Sequence, residues 1–510
     1  MQKNILEHLD QTVCSFPDKI AFEEEHRSIT YLQFQESAKK IGNSILGEGI
    51  RNGKIAIYLD KSINCLIAMF GALYSGSLYC VLDTKSPIER TSVILQTLSP
   101  DLIITDALNA DNIKECADVR CRVVLINETE GQNINESLLR RVLAAKIDTD
   151  PAYILFTSGS TGVPKGTVVS HRAVISYIES VTTTFKLDST IIFGSQTPFY
   201  FSMSVLDIFV TIVRGGTLVI IPKMFFSFPV KLIEFINLHK VNAIYWVPTA
   251  LSIVANRDTF SAICPKYLMK ILFAGEVMPV KQLNYWIRYL PECLFANLYG
   301  PTEITDTGTY YIVNRTFQND QSLPIGKPFE NSAVMLLNAK DELVTGDEEG
   351  EICFRGSFLG CGYYDNWDKT SQVFCQNPLN THYPEYIYRT GDIGKYNEFG
   401  EILYISRKDF QIKRMGYRIE LGEIENNVAA IPEVHNCVCI YDSETMQIVL
   451  YYVGGIEEER VKELVQERVV KYMQPDQIVK ISSIPINANG KYDRQLLEKK
   501  YREVQCHVCG

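Results

Sequence analysis

The sequence predicts an α/β protein. A large N-terminal body of mixed parallel sheets with flanking helices and a β-rich subdomain is followed by a small α+β C-terminal domain. Three observations carry this. Short β-branched and aromatic runs alternate with helix-length segments along the first part of the chain, which is the pattern of βαβ units. From about Gly350 the texture changes to glycine-rich β segments (GEICFRG, LGCGYY). Beyond residue 409 comes a compact mixed segment, at roughly 100 residues long enough to bury a core of its own.

In chain order, residues 54–60 (KIAIYLD), 79–83 (YCVLD), 102–106 (LIITD) and 122–127 (RVVLIN) read as strands. Segments 63–74 and 88–98 between them are of about helix length. The longest apolar stretch, 65–82, is broken by Gly71, Ser75, Gly76 and Ser77. It therefore reads as helix, turn and buried strand rather than a membrane span. Residues 127–137 are polar and read as a surface loop. A second set of strands is expected at 152–156, 217–221, 270–274 and 294–298. In the C-terminal segment the pattern predicts a strand, a turn at Met415 and Gly416, a helix, and strands near 438–441 and 448–453. An amphipathic helix at 457–472 and a final strand near 478–481 complete it.

Composition narrows the function classes. The chain has 510 residues, enough for about three domains or one large body plus a smaller one. With 46% apolar and 22% charged residues it is an ordinary globular sequence, not a disordered or collagenous one. Its formal charge of −10 argues against nucleic acid as a partner, since phosphate neutralisation needs a basic face. The first ten residues carry two acids and no apolar core, so no secretory leader is read there. The 14 scattered cysteines then read as reduced, mostly packed thiols of a cytoplasmic protein with no membrane insertion.

The most informative stretch is 156–166, FTSGSTGVPKG, placed directly after an apolar strand. Such a loop offers hydroxyls and unhindered backbone N–H groups to phosphate oxygens, and Lys165 adds a cation. It is not a Walker A loop, because no Gly-Lys-Ser/Thr stands at the required spacing. A flexible Gly/Ser turn is the plain alternative.

FTSGSTGVPKG resembles the signature of the adenylate-forming enzymes: acyl-CoA synthetases, luciferases and nonribosomal peptide synthetase adenylation domains. ITYLQF (29–34), ALYSGSLYCVLD (72–83), NLYGPTE (297–303) and GEICFRG (350–356) extend the resemblance in the expected order. YRTGD (388–392), SRKDFQIKRMGYRIELGEIE (406–425), VKYMQP (470–475) and NANGKYDR (487–494) carry it over nearly the whole chain. YGPTE, GYRIELGEIE and NGKYDR are most similar to peptide-synthetase adenylation domains and to stand-alone D-alanine:carrier-protein ligases. No carrier attachment motif follows Arg494, so the resemblance implies action on a separate carrier protein.

The resemblance implies a large domain at 1–408, a mobile lid at 409–510 and a hinge at Asp409. It implies ATP and Mg²⁺ as cofactors, with Glu303 helping to hold the metal. Thr157, Ser158, Gly159, Ser160, Thr161, Gly162, Lys165 and Thr302 become phosphate contacts. Tyr299 and the segment Ala274, Gly275 and Glu276 belong to the adenine side, Asn297 and Gly300 to the cofactor site, Asp392 to the ribose hydroxyls, and Arg407 to Asp392. Lys491 matches the mobile lysine that bridges the substrate carboxylate and the α-phosphate; Thr161, Glu303 and Lys491 are the catalytic candidates. These residue types suit the chemistry, because a carboxylate attacking a phosphate needs cations to offset like-charge repulsion.

The substrate pocket departs from the amino-acid pattern. The family's Phe-Asp-x-Ser-Val segment stands here as Phe201-Ser202-Met203-Ser204-Val205. Its Asp pairs with a substrate α-ammonium, a charge that Ser202 does not supply. Leu206, Tyr245, Leu272, Ala274, Leu298, Asp306 and Thr307 fall on the other pocket positions. Asp306 reads either as a counter-ion for an amine or hydroxyl elsewhere on the substrate or as a solvated or capping acid. The tail Cys506-His507-Val508-Cys509 is a single Cys-x-x-Cys, short of the four ligands that zinc needs, and reads as a frayed end. His171 reads as a packed residue at a helix start. The expected function is ATP-dependent adenylation of a small, non-standard carboxylic acid, then transfer to a carrier phosphopantetheine thiol. An acyl-CoA ligase and a non-catalytic adenylate-binding regulator are the alternatives.

Overall fold

The structure is a computed structural model. It describes the chain except residues 1, 117–120, 130–132, 160–162, 409–410, 486–491 and 509–510. The chain divides into two compact units. The first comprises 1–84, 97–156 and 166–408; the second comprises 85–96, 157–165 and 409–510.

Three sheets are described in the first unit. The largest has nine strands, with Leu294–Tyr299, Lys270–Phe273, Ala243–Trp246, Ile192–Ser195 and Thr217–Ile220 side by side and parallel at its centre. A seven-stranded sheet runs in the order Gly362–Tyr363, Lys165–Ser170, Pro151–Thr157, Leu78–Val81, Lys54–Tyr58, Leu102–Thr105, Arg122–Leu125. The third, five-stranded sheet is antiparallel and holds Gly350–Gly356, Tyr386–Tyr396 and Ile402–Arg407. Its glycine-rich texture was the sequence signal for a separate β-rich region.

Helices cover the parallel sheets as the βαβ reading expects. Tyr31–Gly47 starts at a reciprocal cap, with Thr30 accepting from the Gln33 N–H and Gln33 accepting from the Thr30 N–H. Ile63–Tyr74 is capped by Ser62 and buried on nearly every face, so it is a core helix. These two helices meet at glycine: a Cβ on Gly71 would lie 2.5 Å from the Ile41 side chain. Interiors packed at crystal density have no room for that atom. Trp246 and Trp286 are fully buried, and each indole N–H donates to a carbonyl, of Gly194 and Leu251 respectively.

The second unit holds the hairpin Gln411–Arg414/Tyr417–Glu420 and the helix Leu421–Ala429. Its three-stranded sheet is Val434–Asp442, Gln447–Gly454 and Gln477–Lys480. Met415 and Gly416 form the two-residue turn with φ of 53° and 79°, the positive values that match the twist of the paired strands. The tyrosine rings of Tyr417 and Tyr472 stack at 3.6 Å.

Three expectations are corrected. The polar stretch 127–137 is not all loop: a 3-10 turn spans Ile126–Thr129 and a helix begins at Glu136, capped by Asn135. The helix expected at 457–472 is Glu458–Arg468, because Val469 adopts an extended backbone and only a short turn, Lys471–Met473, follows. The tail is helical through Arg494–Val508 rather than frayed. Asp493 accepts from the Leu496 N–H at its start, and Leu497 and Tyr501 bury in a cluster with Val438, Ile440 and Val449. Cys509 lies outside the described residues.

Candidate active site

In the first unit, the strand Tyr386–Tyr396 delivers Asp392, which is 1% exposed. The neighbouring strand Ile402–Arg407 pairs Arg407 directly with it. The Arg407 guanidinium donates to one Asp392 oxygen, and the Tyr299 hydroxyl donates to the other. Arg407 also donates to the Thr390 carbonyl at 3.1 Å. Burial, with the Asp392 charge adding, pushes the Tyr299 phenol well above its usual range, so it stays a proton donor. The cluster is a buried carboxylate with its charge paired.

Glu303 is fully buried in the short turn Thr302–Ile304, and Tyr363 donates to its Oε1 at 2.5 Å. No cluster of three or more His, Cys, Asp or Glu side chains suited to a metal is found among the described residues. Mg²⁺ commonly takes one carboxylate together with waters and substrate phosphates, and the single Glu303 fits that demand.

Glu276 places Oε2 on the Thr249 N–H (2.9 Å) and hydroxyl (2.7 Å), capping the helix Pro248–Asn256. Its Oε1 is buried without a hydrogen-bond partner, an acceptor open to a nucleotide donor. Gly275 beside it has φ +91°. Asn297 has a structural task, since its side-chain N–H donates to the Pro324 carbonyl at 2.8 Å. Gly300 is a contact point: a Cβ there would lie 2.5 Å from the Thr307 Cα.

The apolar pocket candidates Met203, Leu206, Leu272, Ala274 and Leu298 are all buried, and Phe201 is half-buried. Ser202 lies before the helix Ser204–Arg214 and accepts from the Thr302 hydroxyl at 3.1 Å. Asp306 is 1% exposed, and its Oδ2 accepts from Tyr177 at 2.7 Å and Tyr245 at 3.1 Å. Tyr177 also shares a hydrogen bond with Thr307 Oγ1 at 2.9 Å. Burial pushes Asp306 up to about 7 against the pull of the two phenols, and Asp207 adds to the rise. Asp306 is therefore a buried network acid, neither solvated nor a helix cap.

In the second unit, Thr157 Oγ1 is buried without a partner. Ser158 donates to the Arg418 carbonyl at 2.7 Å, and the Gly159 N–H donates to Glu423 Oε2 at 3.3 Å. Glu423 is 2% exposed and ion-paired to Arg90. A carboxylate thus lies on a backbone donor of the loop read as an anion cradle, which matches the loop's preference for negative charge. Lys165 is buried at the first position of its strand. Ser160, Thr161, Gly162, Asp409 and Lys491 lie outside the described residues.

Sequence reasoning missed Tyr177, Tyr363, Glu423, Arg90 and Thr249. Each reaches its partner over a long separation or as one tyrosine or acid among many, and no local pattern marked them. His171 opens the helix His171–Thr184 and is 4% exposed. Burial first, then Lys146, lowers it to about 4. It is a neutral core histidine.

The profile of the AMP-binding enzyme family matches residues 9–364, and that of the AMP-binding enzyme C-terminal domain matches 423–491. The chain belongs to the AMP-binding enzyme family. The two matches together place it in the adenylate-forming superfamily. Bacitracin synthase 1 of Bacillus licheniformis is 29% identical over 98% of this chain. The match spans only 9% of that synthase, so this AMP-binding enzyme corresponds to a small part of it. Zwittermicin A synthase ZmaJ of Bacillus cereus is 28% identical over 96% of this chain and 93% of its own length. Among solved structures, the Vibrio cholerae adenylation domain AlmE, in complex with glycyl-adenosine-5'-phosphate, superposes with a TM-score of 0.85 at 21% identity. That match covers 99% of this chain and 98% of AlmE. Holo-PA1221, described as an NRPS protein containing adenylation and PCP domains, gives 0.83 at 20% identity, covering 98% and 84% of the two chains. Both share the mixed α/β architecture. No described helix is long and apolar enough to cross a membrane.

Proposed function

We propose that this AMP-binding enzyme converts a carboxylic acid to an acyl-adenylate with release of pyrophosphate. It then passes the acyl group to the phosphopantetheine thiol of a separate carrier protein. The observation that best supports the nucleotide half is Asp392 held between Tyr299 and Arg407. An anchored, charge-paired carboxylate is suited to accept ribose hydroxyls without moving. The unpartnered oxygens of Glu276 and Thr157 favour the same reading, because buried polar atoms are normally satisfied. Mg²⁺ bound through Glu303 would supply charge neutralisation at the phosphates. Lys165 and Lys491 are proposed as the protein's cations for the phosphates and for the reacting carboxylate.

The acid is proposed to be non-standard. Ser202 offers a hydroxyl already engaged with Thr302 where the resemblance expects a carboxylate. The buried residues at the pocket positions favour a substrate with an apolar portion. Carrier transfer is supported by likeness to holo-PA1221, which contains adenylation and PCP domains. Two assays test the reading: carboxylate-dependent exchange of pyrophosphate into ATP, and thioester formation with holo carrier protein against free CoA. Exchange with a carboxylic acid and thioester on the carrier are expected. Thioester on CoA alone would replace the carrier in this account, and no exchange with any acid would remove the enzymatic reading.

A further inference from the structure

Asp306 sits in an unusual backbone frame. Thr305, directly before it, has φ 75° and ψ −53°, and the Asp306 N–H donates back to the Ile304 carbonyl at 2.9 Å. That is a γ-turn with a β-branched residue at its centre, a strained arrangement that persists only where its surroundings hold it. The surroundings do hold it. Thr305 Oγ1 donates to the Phe358 carbonyl at 2.8 Å, and Tyr153 donates to the Thr305 carbonyl at 3.3 Å. The turn fixes the carboxylate between two phenols, and the Tyr177 ring is itself clamped edge-on by Phe329 and Phe358.

The local charges do not balance. A second acid, Asp207, is 1% exposed in the helix Ser204–Arg214, has one oxygen without a hydrogen-bond partner, and acts on Asp306 as a like charge. The cation acting on Asp207 is Lys61, whose ammonium donates to the Ser195 carbonyl at 2.9 Å. Burial lowers Lys61 and raises Asp207, and each partly offsets the other. Tyr153, Tyr177 and Tyr245 are the other titratable groups coupled to Asp306, all neutral phenols. Among the described residues, no Lys, Arg or His makes an ion pair with Asp306. Lys61 thus acts on Asp207 and leaves Asp306 without a cation among the described residues, and a buried carboxylate without a cation is costly.

Resting on the adenylation reading, we propose that Asp306 is the specificity residue of the pocket, the counter-ion for an ammonium group borne by the substrate away from its α-carbon. The substrate class is thus an acid with a β-placed or more distal amine and an apolar portion. Tyr177 and Tyr245 orient the carboxylate, and the substrate's amine completes the charge balance that Lys61 leaves open. Ser202, with its hydroxyl on Thr302, leaves the α-position without a counter-ion.

The test is exchange of pyrophosphate into ATP by the full chain with paired acids. β-, γ- and ω-amino acids are each compared with the same acid lacking the amine. At least one amine-bearing acid should exceed its des-amino partner tenfold or more in kcat/KM, as loss of a charge-assisted bond predicts. Asp306→Asn should erase that ratio, by lowering kcat/KM for the amine-bearing acid to that of its des-amino partner in the same variant. An equal response to every pair, or an unchanged ratio in Asp306→Asn, overturns the inference while the adenylation reading stands. Silence with all acids overturns both. Should Asp306→Asn fail to fold, proton release by the unaltered enzyme decides. Titration of the preferred amino acid at pH 6, in buffers of different ionisation enthalpy, should expel a proton, and no proton change overturns the assignment.

Discussion

Asp392 and Asp306 are both almost completely buried, and both are held by tyrosine hydroxyls. They differ in one partner: Asp392 has the Arg407 guanidinium, and Asp306 has two phenols and a like-charged neighbour. Phenols lower the cost of a buried negative charge through hydrogen bonds but bring no charge of their own. A site with its charge already paired is built to hold a neutral group such as a ribose hydroxyl. A site short of a cation is built to receive one.

Neither acid is proposed to serve the reacting carboxylate, a role proposed for Lys491. The largest effect is therefore expected for Lys491→Ala. Acyl-adenylate formation should fall by about 10²–10³ or more, the scale of a lost transition-state donor. Transfer from supplied acyl-adenylate to the thiol should suffer far less. Half-reaction kinetics check this, and equal losses in both steps would remove the proposed role of Lys491.

Removing the guanidinium turns the first site into the second. Arg407→Met leaves Asp392 buried and unpaired, so denaturant unfolding should show a loss of about 3–5 kcal/mol. A loss under about 1 kcal/mol would mean that the Arg407 pairing is not what distinguishes the sites.

The second site should betray itself in pH dependence. Asp306 is raised from 3.8 to about 7 in the folded protein. The folded state therefore holds a proton that the unfolded state has released between those values. Stability from this group is complete below about 3.8 and is lost as pH rises toward about 7, by about 4 kcal/mol at most. Asp306→Asn removes the titration, so the stability of the natural protein minus that of the variant should fall between pH 4 and 7. Urea unfolding of both proteins across that range gives the curve. A flat difference would place Asp306 with the charge-paired acids.

A smaller effect sharpens the specificity half. Ser202→Asp adds a carboxylate where the α-ammonium is expected, and should raise exchange with α-amino acids by about tenfold to a hundredfold. Initial rates with leucine and valine measure it. A strong preference of the unaltered enzyme for either one would remove the premise.

Much of the fold was legible because the parallel strands are short, apolar and spaced by helices. The helix Ile63–Tyr74 and the turn at Met415 and Gly416 follow from the length and bounds of an apolar run and from turn chemistry. The terminal helix Arg494–Val508 was hidden because its charged residues mask the buried pair Leu497 and Tyr501. At the site, Asp392, Arg407, Glu303 and Asp306 were named from motif positions. Their partners were not. Tyr177 reads as one more residue of a buried helix face, and only the chain's return at Thr305 brings Asp306 to it. Glu423 was visible within GYRIELGEIE, but its contacts with Arg90 and Gly159 join residues hundreds of positions apart.

The most direct test is a single exchange experiment on the unaltered enzyme with ATP, Mg²⁺, labelled pyrophosphate and one matched trio of acids. The trio shares one apolar skeleton with the amine at the α-carbon, at the distal carbon (β or beyond) that the paired acids single out, or absent. Acid-dependent exchange should be strongest with the distal amine and at least tenfold weaker with the other two. Strongest exchange with the α-amino acid would contradict the proposal.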